Sequence, residues 1–213
     1  MIGLLSHSEQ VFSDPIEQAF TYIYDKGIWG KNSLGEGTSG GGSSLKATET
    51  YRAFLQDFFA THNISSVVDV GCGDWEFSRY INWENIQYTG YDVVASVINK
   101  NQKNFSQENI CFVHANALTE DLPQADLLIC KDVLQHLSNE SVILFLEQTN
   151  KFKYCLITND INQNMPTKNN QEISDGSYRR LDLTAPPFNV EGDKIFTYKE
   201  GPNTKQVLLM ANE

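Results

Sequence analysis

Val67-Val68-Asp69-Val70-Gly71-Cys72-Gly73-Asp74-Trp75 is the stretch on which the reading of this chain turns. Its β-branched residues suit a buried strand. The two glycines that end the run allow a tight turn and bring backbone N–H groups close to a ligand. A helix is expected to follow, over residues 75–82. An acidic residue, Asp92, closes Gln87-Tyr88-Thr89-Gly90-Tyr91-Asp92 about 20 positions after the turn, where a carboxylate can accept the hydroxyls of a ribose. Strand, glycine turn and carboxylate point together to an adenosine-type ligand, against the plainer reading of a tight turn that binds nothing.

A dinucleotide site wants a third glycine, so that helix and strand pack closely beneath a pyrophosphate. Trp75 and Glu76 fill that place here, and an indole and a carboxylate are poor neighbours for a diphosphate. A cofactor without phosphate suits the turn better, which favours S-adenosylmethionine over NAD. At these residues the chain resembles the class I S-adenosylmethionine-dependent methyltransferases, whose fingerprint of acidic residue, x, Gly, x, Gly is matched by Asp69, Gly71 and Gly73. The resemblance spans roughly residues 64–160. It implies a single-domain, Rossmann-like, doubly wound α/β fold: a mostly parallel seven-stranded sheet with an antiparallel C-terminal strand and an N-terminal helical cap.

The rest of the pattern agrees with that architecture. Ser13-Asp14-Pro15-Ile16-Glu17 reads as a helix start, with Asp14 as N-cap and Pro15 at the first helical position. Phe12, Ile16, Ala19, Phe20 and Ile23 follow at helical spacing. Residues 27–44 turn rich in glycine and serine, a composition suited to a mobile loop. Tyr51, Phe54, Leu55, Phe58 and Phe59 stripe a second helix that ends near Asn63. From Ile64 onward short apolar runs alternate with helical patterns. The strands are expected near 66–70, 87–91, 110–114, 126–131 and 154–159, with helices near 75–82, 94–103 and 139–150. Residues 162–177 show no period and read as a long loop, while 194–199 and 205–210 form a hairpin around Glu200-Gly-Pro-Asn203. Residues 1–63 are thus expected to cap a core of residues 64–213.

Composition narrows the function further. The 213 residues suit one substantial core. A formal net charge of −11 with no basic cluster disfavours nucleic acid. The four cysteines match neither zinc nor redox spacing. With no leader-like start at Met1–Gln10 and no membrane-length apolar run, the expectation is a soluble, cytoplasmic protein.

Ligands of open α/β sheets sit at the carboxyl ends of the strands. On the methyltransferase resemblance, Asp69, Gly71, Cys72 and Gly73 belong to the cofactor turn. Asp92 takes the ribose, Val93 packs on adenine, and Asn116 with Ala117 stands where the family usually has an aspartate for the adenine amino group. Lys131 and Asp132 follow the fourth strand, near the methionine end, with the Lys131 side chain directed either at the cofactor or at solvent. If the methyl acceptor must lose a proton, Asp132, His136 and Asp160 are the strand-end candidates to take it, His136 having packing or helix capping as its alternative role. Asp132, Asn159 and Asp160 are also similar to the Mg²⁺ site of catechol-type O-methyltransferases, but with the Asn-Asp pair reversed, so the metal-free reading is preferred. Arg52 and Arg179 are the nearest partners for an anionic acceptor, unless both are simply solvated. The expected activity is methyl transfer to a small molecule or a protein side chain. A cofactor-binding module without turnover and a nicotinamide-dependent oxidoreductase are the competing classes.

Overall fold

The computed structural model describes residues 14–212. Phe12 and Ser13, together with the Met1–Gln10 segment, lie outside the described residues. Seven strands form one sheet: β1 (Ser66–Val70), β2 (Gln87–Asp92), β3 (Ile110–His114), β4 (Ala125–Lys131), β5 (Phe152–Ile161), β6 (Asp193–Glu200) and β7 (Asn203–Ala211). Their order is β3-β2-β1-β4-β5-β7-β6. All neighbours are parallel except β7, which runs antiparallel to both β5 and β6. Strand order reverses at β1, whose partners are β2 on one side and β4 on the other. That switch point opens a crevice at the carboxyl end of β1, where Gly71 and Gly73 sit.

Two hydrophobic layers show why these strands are nearly continuous apolar runs. Val68, Val70, Leu128 and Cys130 face one layer, built with α1 (Pro15–Lys26) and α4 (Asn139–Leu146). Val67, Leu127, Ile129 and Leu156 face the other, covered by α2 (Glu49–His62) through Tyr51, Leu55, Phe58 and Phe59. A fourth helix, α3 (Ala95–Phe105), contributes Val97 to the first layer and Ile98 to the second. Asp14 caps α1 as expected, its Oδ1 accepting the Ile16 N–H at 2.8 Å. Asn63, at φ 53°, ends α2 in the left-handed conformation.

The expected helix over 75–82 does not form. Trp75 adopts φ 54° and is only 3% exposed, its ring packed among Tyr88, Phe105 and Phe112. Trp83 folds back in the same way, its indole N–H donating to the Ser78 carbonyl at 2.8 Å. Burying two tryptophans outweighs helical propensity, and only a 3-10 turn, Ser78–Tyr80, remains. The helix expected over 139–150 also stops early, at Leu146, where the Thr149 hydroxyl takes the Leu146 carbonyl at 2.7 Å. The C-terminal hairpin closes tightly at Gly201, φ 57°.

Candidate active site

A cavity enclosing about 800 Å³, mouth included, lies at the carboxyl ends of β1 to β4. Four strand ends line it: Gly71 and Gly73, then Asp92 and Val93, then Ala115 to Leu118, then Lys131 to Val133. Helix α1 lies over it through Ile16, Phe20 and Tyr24.

The glycine turn is built by close approach. Gly71, at φ 74°, sits where a Cβ would fall 2.2 Å from the Val133 side chain. Its N–H and that of Cys72 both donate to the Tyr91 carbonyl, at 2.8 and 3.0 Å. The Gly73 N–H donates to Asp92 Oδ2 at 3.0 Å, and the Asp74 N–H to the Ser39 hydroxyl at 2.9 Å. Every N–H of the turn is therefore spent inside the protein. A phosphate cradle needs such groups free, so the turn suits a ligand without phosphate at this point.

Asp92 is 9% exposed, with one N–H on each oxygen, Gly73 on Oδ2 and Val94 on Oδ1. Burial pushes its pKa up while these N–H groups pull it down. Each oxygen keeps a lone pair, and the carboxylate borders the cavity. Val93 and Ala117 line the cavity beside it. Asn116 does so with its amide already engaged: Oδ1 accepts the Leu118 N–H at 3.0 Å and Nδ2 donates to Asp14 at 2.5 Å. It therefore ties the N-terminus of α1 to the end of β3.

Asp69 and Cys72 lie on the other side of the turn, in a smaller chamber of about 340 Å³ with Asp74, Glu76 and Phe77. Burial raises the pKa of Asp69 to about 7, although the Tyr88 hydroxyl donates to it at 2.7 Å. Ser39, Ser43, Gly71, Gly73 and Lys131 border both chambers.

Behind the mouth sits a buried ionic cluster. Asp132, at φ 60°, is held by Lys131 at 2.5 Å and Lys205 at 2.7 Å. A non-glycine residue in that backbone conformation at a strand end is a strained position of the kind found at functional sites. Lys205 Nζ also lies 2.9 Å from Asp160 Oδ1, without an aligned hydrogen bond, and 3.5 Å from Glu200. Burial alone would raise the Asp132 pKa, but the two ammonium groups overcome it and hold the carboxyl below its usual range. The same carboxylates push Lys205 up against its own burial. Tyr178 donates to Asp160 Oδ2 at 2.8 Å. Asp160 is 2% exposed and does not line the main cavity, whereas Asp132 does. Lys131 points neither to open solvent nor freely at the cavity; its ammonium also faces the Tyr51 and Phe77 rings, 5.6 Å from each centroid.

His136 borders the cavity, against the Trp29 ring at 4.9 Å. Its Nδ1 lies 2.7 Å from the Ser177 carbonyl, which can only accept, so Nδ1 carries the hydrogen. Burial lowers its pKa. The neutral ring thus presents Nε2 as a proton acceptor.

The glycine-serine segment is not a loose tether. Ser39 N–H donates to Asp74 Oδ2 at 3.2 Å, its hydroxyl meets Tyr24 OH at 2.7 Å, and a Cβ on Gly37 would fall 1.9 Å from the Tyr24 carbonyl. Its glycines serve close packing against α1 and the turn. Sequence reasoning missed Tyr24, Ser39 and Lys205; the run of glycines next to serines was the available signal for Ser39, while nothing local marks Tyr24 or Lys205. Arg179 is also not a solvated anion partner: 4% exposed, it donates to the Leu137 and Gln171 carbonyls and to Asn139 Oδ1, strapping the 162–177 segment to the start of α4.

Comparisons with known proteins place this geometry. A family model described as a methyltransferase domain matches residues 68–152. Magnesium protoporphyrin IX methyltransferase from Synechocystis PCC 6803, solved with bound S-adenosylhomocysteine, superposes with a TM-score of 0.65 at 10% identity, covering 93% of this chain and 100% of that one. The N-methyltransferase NodS from Bradyrhizobium japonicum WM9, in complex with S-adenosyl-L-homocysteine, gives 0.59 at 12% identity, over 78% of this chain and 86% of its own. Human N-acetylserotonin methyltransferase, in complex with S-adenosylmethionine, gives 0.57 at 16% identity, over 94% and 61%. At such identities the likeness is one of fold. No curated protein sequence matches the chain. The match to a methyltransferase domain over residues 68–152, the shared fold and the phosphate-free turn agree with one another.

Proposed function

We propose that this protein transfers a methyl group from S-adenosylmethionine directly to a small molecule or protein side chain, with His136 receiving the acceptor's proton. The observation that carries the reading is the cavity shared by the glycine turn, Asp92 and the neutral imidazole of His136. The residues fit the cofactor: Asp92 keeps lone pairs for ribose hydroxyls, Val93 and Ala117 offer apolar surface to adenine, and no backbone N–H of the glycine turn is left waiting for phosphate. In this reading Asp69 and Cys72 shape the turn from behind, Gly71 and Gly73 give it close approach, and Asn116 positions the adenine edge. Residues up to 63 act as a cap on the 64–213 core.

The cofactor supplies an electrophilic methyl on a sulfonium. The chain's own work is to align the acceptor, exclude water and take a proton. An acceptor hydroxyl or ammonium that loses its proton to Nε2 leaves an imidazolium, whose Nδ1–H stays anchored on the Ser177 carbonyl. Asp132 is a poor base, because two ammonium groups stabilise its ionised form; its role is electrostatic, beside the site of reaction. Asp160 acts at one remove, holding Lys205 and the Tyr178 hydroxyl. A formal net charge of −11 supports an acceptor other than nucleic acid. Among the described residues no helix is long and apolar enough to cross a membrane, and the four cysteines are free, which supports a reducing, cytoplasmic setting.

The test is single-turnover methylation of acceptor pools with labelled cofactor, comparing wild type with His136→Gln. Label transfer by the wild type, cut about 100-fold or more in the variant at unchanged cofactor affinity, is the expected result. Equal transfer by both would remove His136 from the chemistry.

A further inference from the structure

His136 borders the main cavity with Nδ1 on the Ser177 carbonyl and Nε2 without a hydrogen-bond partner among the described residues. The other polar side chains of that cavity fall into two groups. Tyr24, Ser39, Asp92 and Asn116 gather at the glycine turn and the ends of β2 and β3, the stretch that the cofactor reading uses. Lys131 and Asp132 are matched within the protein: Asp132 takes hydrogens from Lys131 and Lys205, and Lys131 Nζ also lies 3.7 Å from Glu200. Around the imidazole the wall is apolar. The Trp29 ring lies 4.9 Å from the His136 ring and 5.9 Å from that of Phe20, and Leu137 follows His136 into the same lining.

A charged acceptor has no counterion to meet there. An ammonium would approach an aspartate that already holds two ammonium groups, and a carboxylate would find Lys131 already between Asp132 and Glu200. Either would give up its water for little return. Nε2, with the ring hydrogen fixed on Nδ1, asks instead for a donor. We infer that the methyl acceptor is a small, uncharged phenol, its ring against Trp29 and Phe20 and its O–H donating to His136 Nε2. The inference rests on the proposed function and narrows its acceptor to one chemical class. Aromatic walls favour an aromatic guest, which packs on them in offset or tilted geometry. Acidity favours a phenol as well: burial makes His136 a weaker base than ordinary imidazole. Such a base takes a proton far more readily from a phenol, of pKa about 10, than from an alkanol, which is several units less acidic.

The experiment is calorimetric titration of the full chain, saturated with S-adenosylhomocysteine, with four probes built on one ring: para-cresol, para-methylanisole, para-toluate and para-methylbenzylammonium. Wild type is expected to bind the cresol at least tenfold more tightly than either ion. His136→Phe keeps a ring in place and removes Nε2. It should cut the affinity ratio of cresol to anisole about tenfold, the worth of the lost hydrogen bond, while affinity for S-adenosylhomocysteine stays within twofold of wild type. N-acetyltyrosinamide, the same phenol on a peptide backbone, should bind more weakly than the free cresol, because α1 lies over the cavity. An ion bound as tightly as the cresol, a tighter tyrosinamide, an unchanged ratio in the variant, or no probe bound at millimolar concentration would each overturn the inference and leave the cofactor reading standing. The wild-type series needs no variant to fold. Failure of wild type to bind S-adenosylhomocysteine would overturn the cofactor reading and this inference with it.

Discussion

Asp92 accepts the backbone N–H of Gly73 at 3.0 Å, so the carboxylate that ends β2 also shapes the turn that ends β1. If Asp92 takes the ribose as proposed, cofactor binding and turn geometry are coupled through one side chain. Asp92→Asn exchanges one acceptor oxygen for a donor, so the turn and the ribose can no longer both be served as before. Its affinity for S-adenosylhomocysteine is expected to fall at least tenfold by calorimetry. Unchanged affinity would take the ribose role away from Asp92.

Because burial depresses the pKa of His136 below 6.5, the ring is neutral through most of the physiological range. The rate of methyl transfer should rise with pH through a single ionisation below 6.5 and then level off. His136→Gln should flatten that ascending limb as well as lower the rate. A limb that survives in the variant assigns the ionisation to another group.

The glycine-serine segment offers an internal control on whether its glycines serve packing or looseness. A Cβ on Gly37 would fall 1.9 Å from the Tyr24 carbonyl, whereas one on Gly41 would meet nothing within 4 Å. Gly37→Ala is expected to cost about 1–3 kcal/mol of stability in denaturant unfolding, while Gly41→Ala should change it by less than about 0.5 kcal/mol. Equal effects would mean the segment is not docked.

Asp69 carries the clearest pH signature of stability. Its carboxyl goes from an ordinary value of 3.8 to about 7 on folding, chiefly through burial. A raised folded pKa stabilises fully below the unfolded value, and the benefit is lost as pH climbs through the folded one. Wild type should therefore lose stability between about pH 4 and 7 relative to Asp69→Asn, which stays neutral and can still accept from Tyr88. The differential is on the order of 2–4 kcal/mol. Parallel unfolding curves for the two proteins across that range would contradict it.

The sheet was legible because its strands are buried on both faces, so Val67–Val70 and Leu127–Cys130 read as apolar runs whatever lies around them. The glycine turn and Asp92 were legible because both are fixed by local backbone needs. The 75–82 segment was not, since burial of Trp75 and Trp83 depends on Tyr88, Phe105 and Phe59, from three other elements. The ionic cluster was half legible: Asp132 and Asp160 stand at strand ends, but Lys205 reaches them only because β7 enters the sheet beside β5 in reverse. Ser39 and Tyr24 join the site through contacts between the cap and the turn that no periodicity encodes.

If the switch-point cavity holds a sulfonium nucleoside and not a dinucleotide, a thermal-shift comparison of S-adenosylhomocysteine with NADH separates the two ligands. At a hundredfold excess over the dissociation constant, the first should stabilise by about 2.7 kcal/mol, a rise in Tm of roughly 5–10 °C, with no shift from NADH. No response to S-adenosylhomocysteine, or an equal response to NADH, would mean that the cavity is not a sulfonium-nucleoside site.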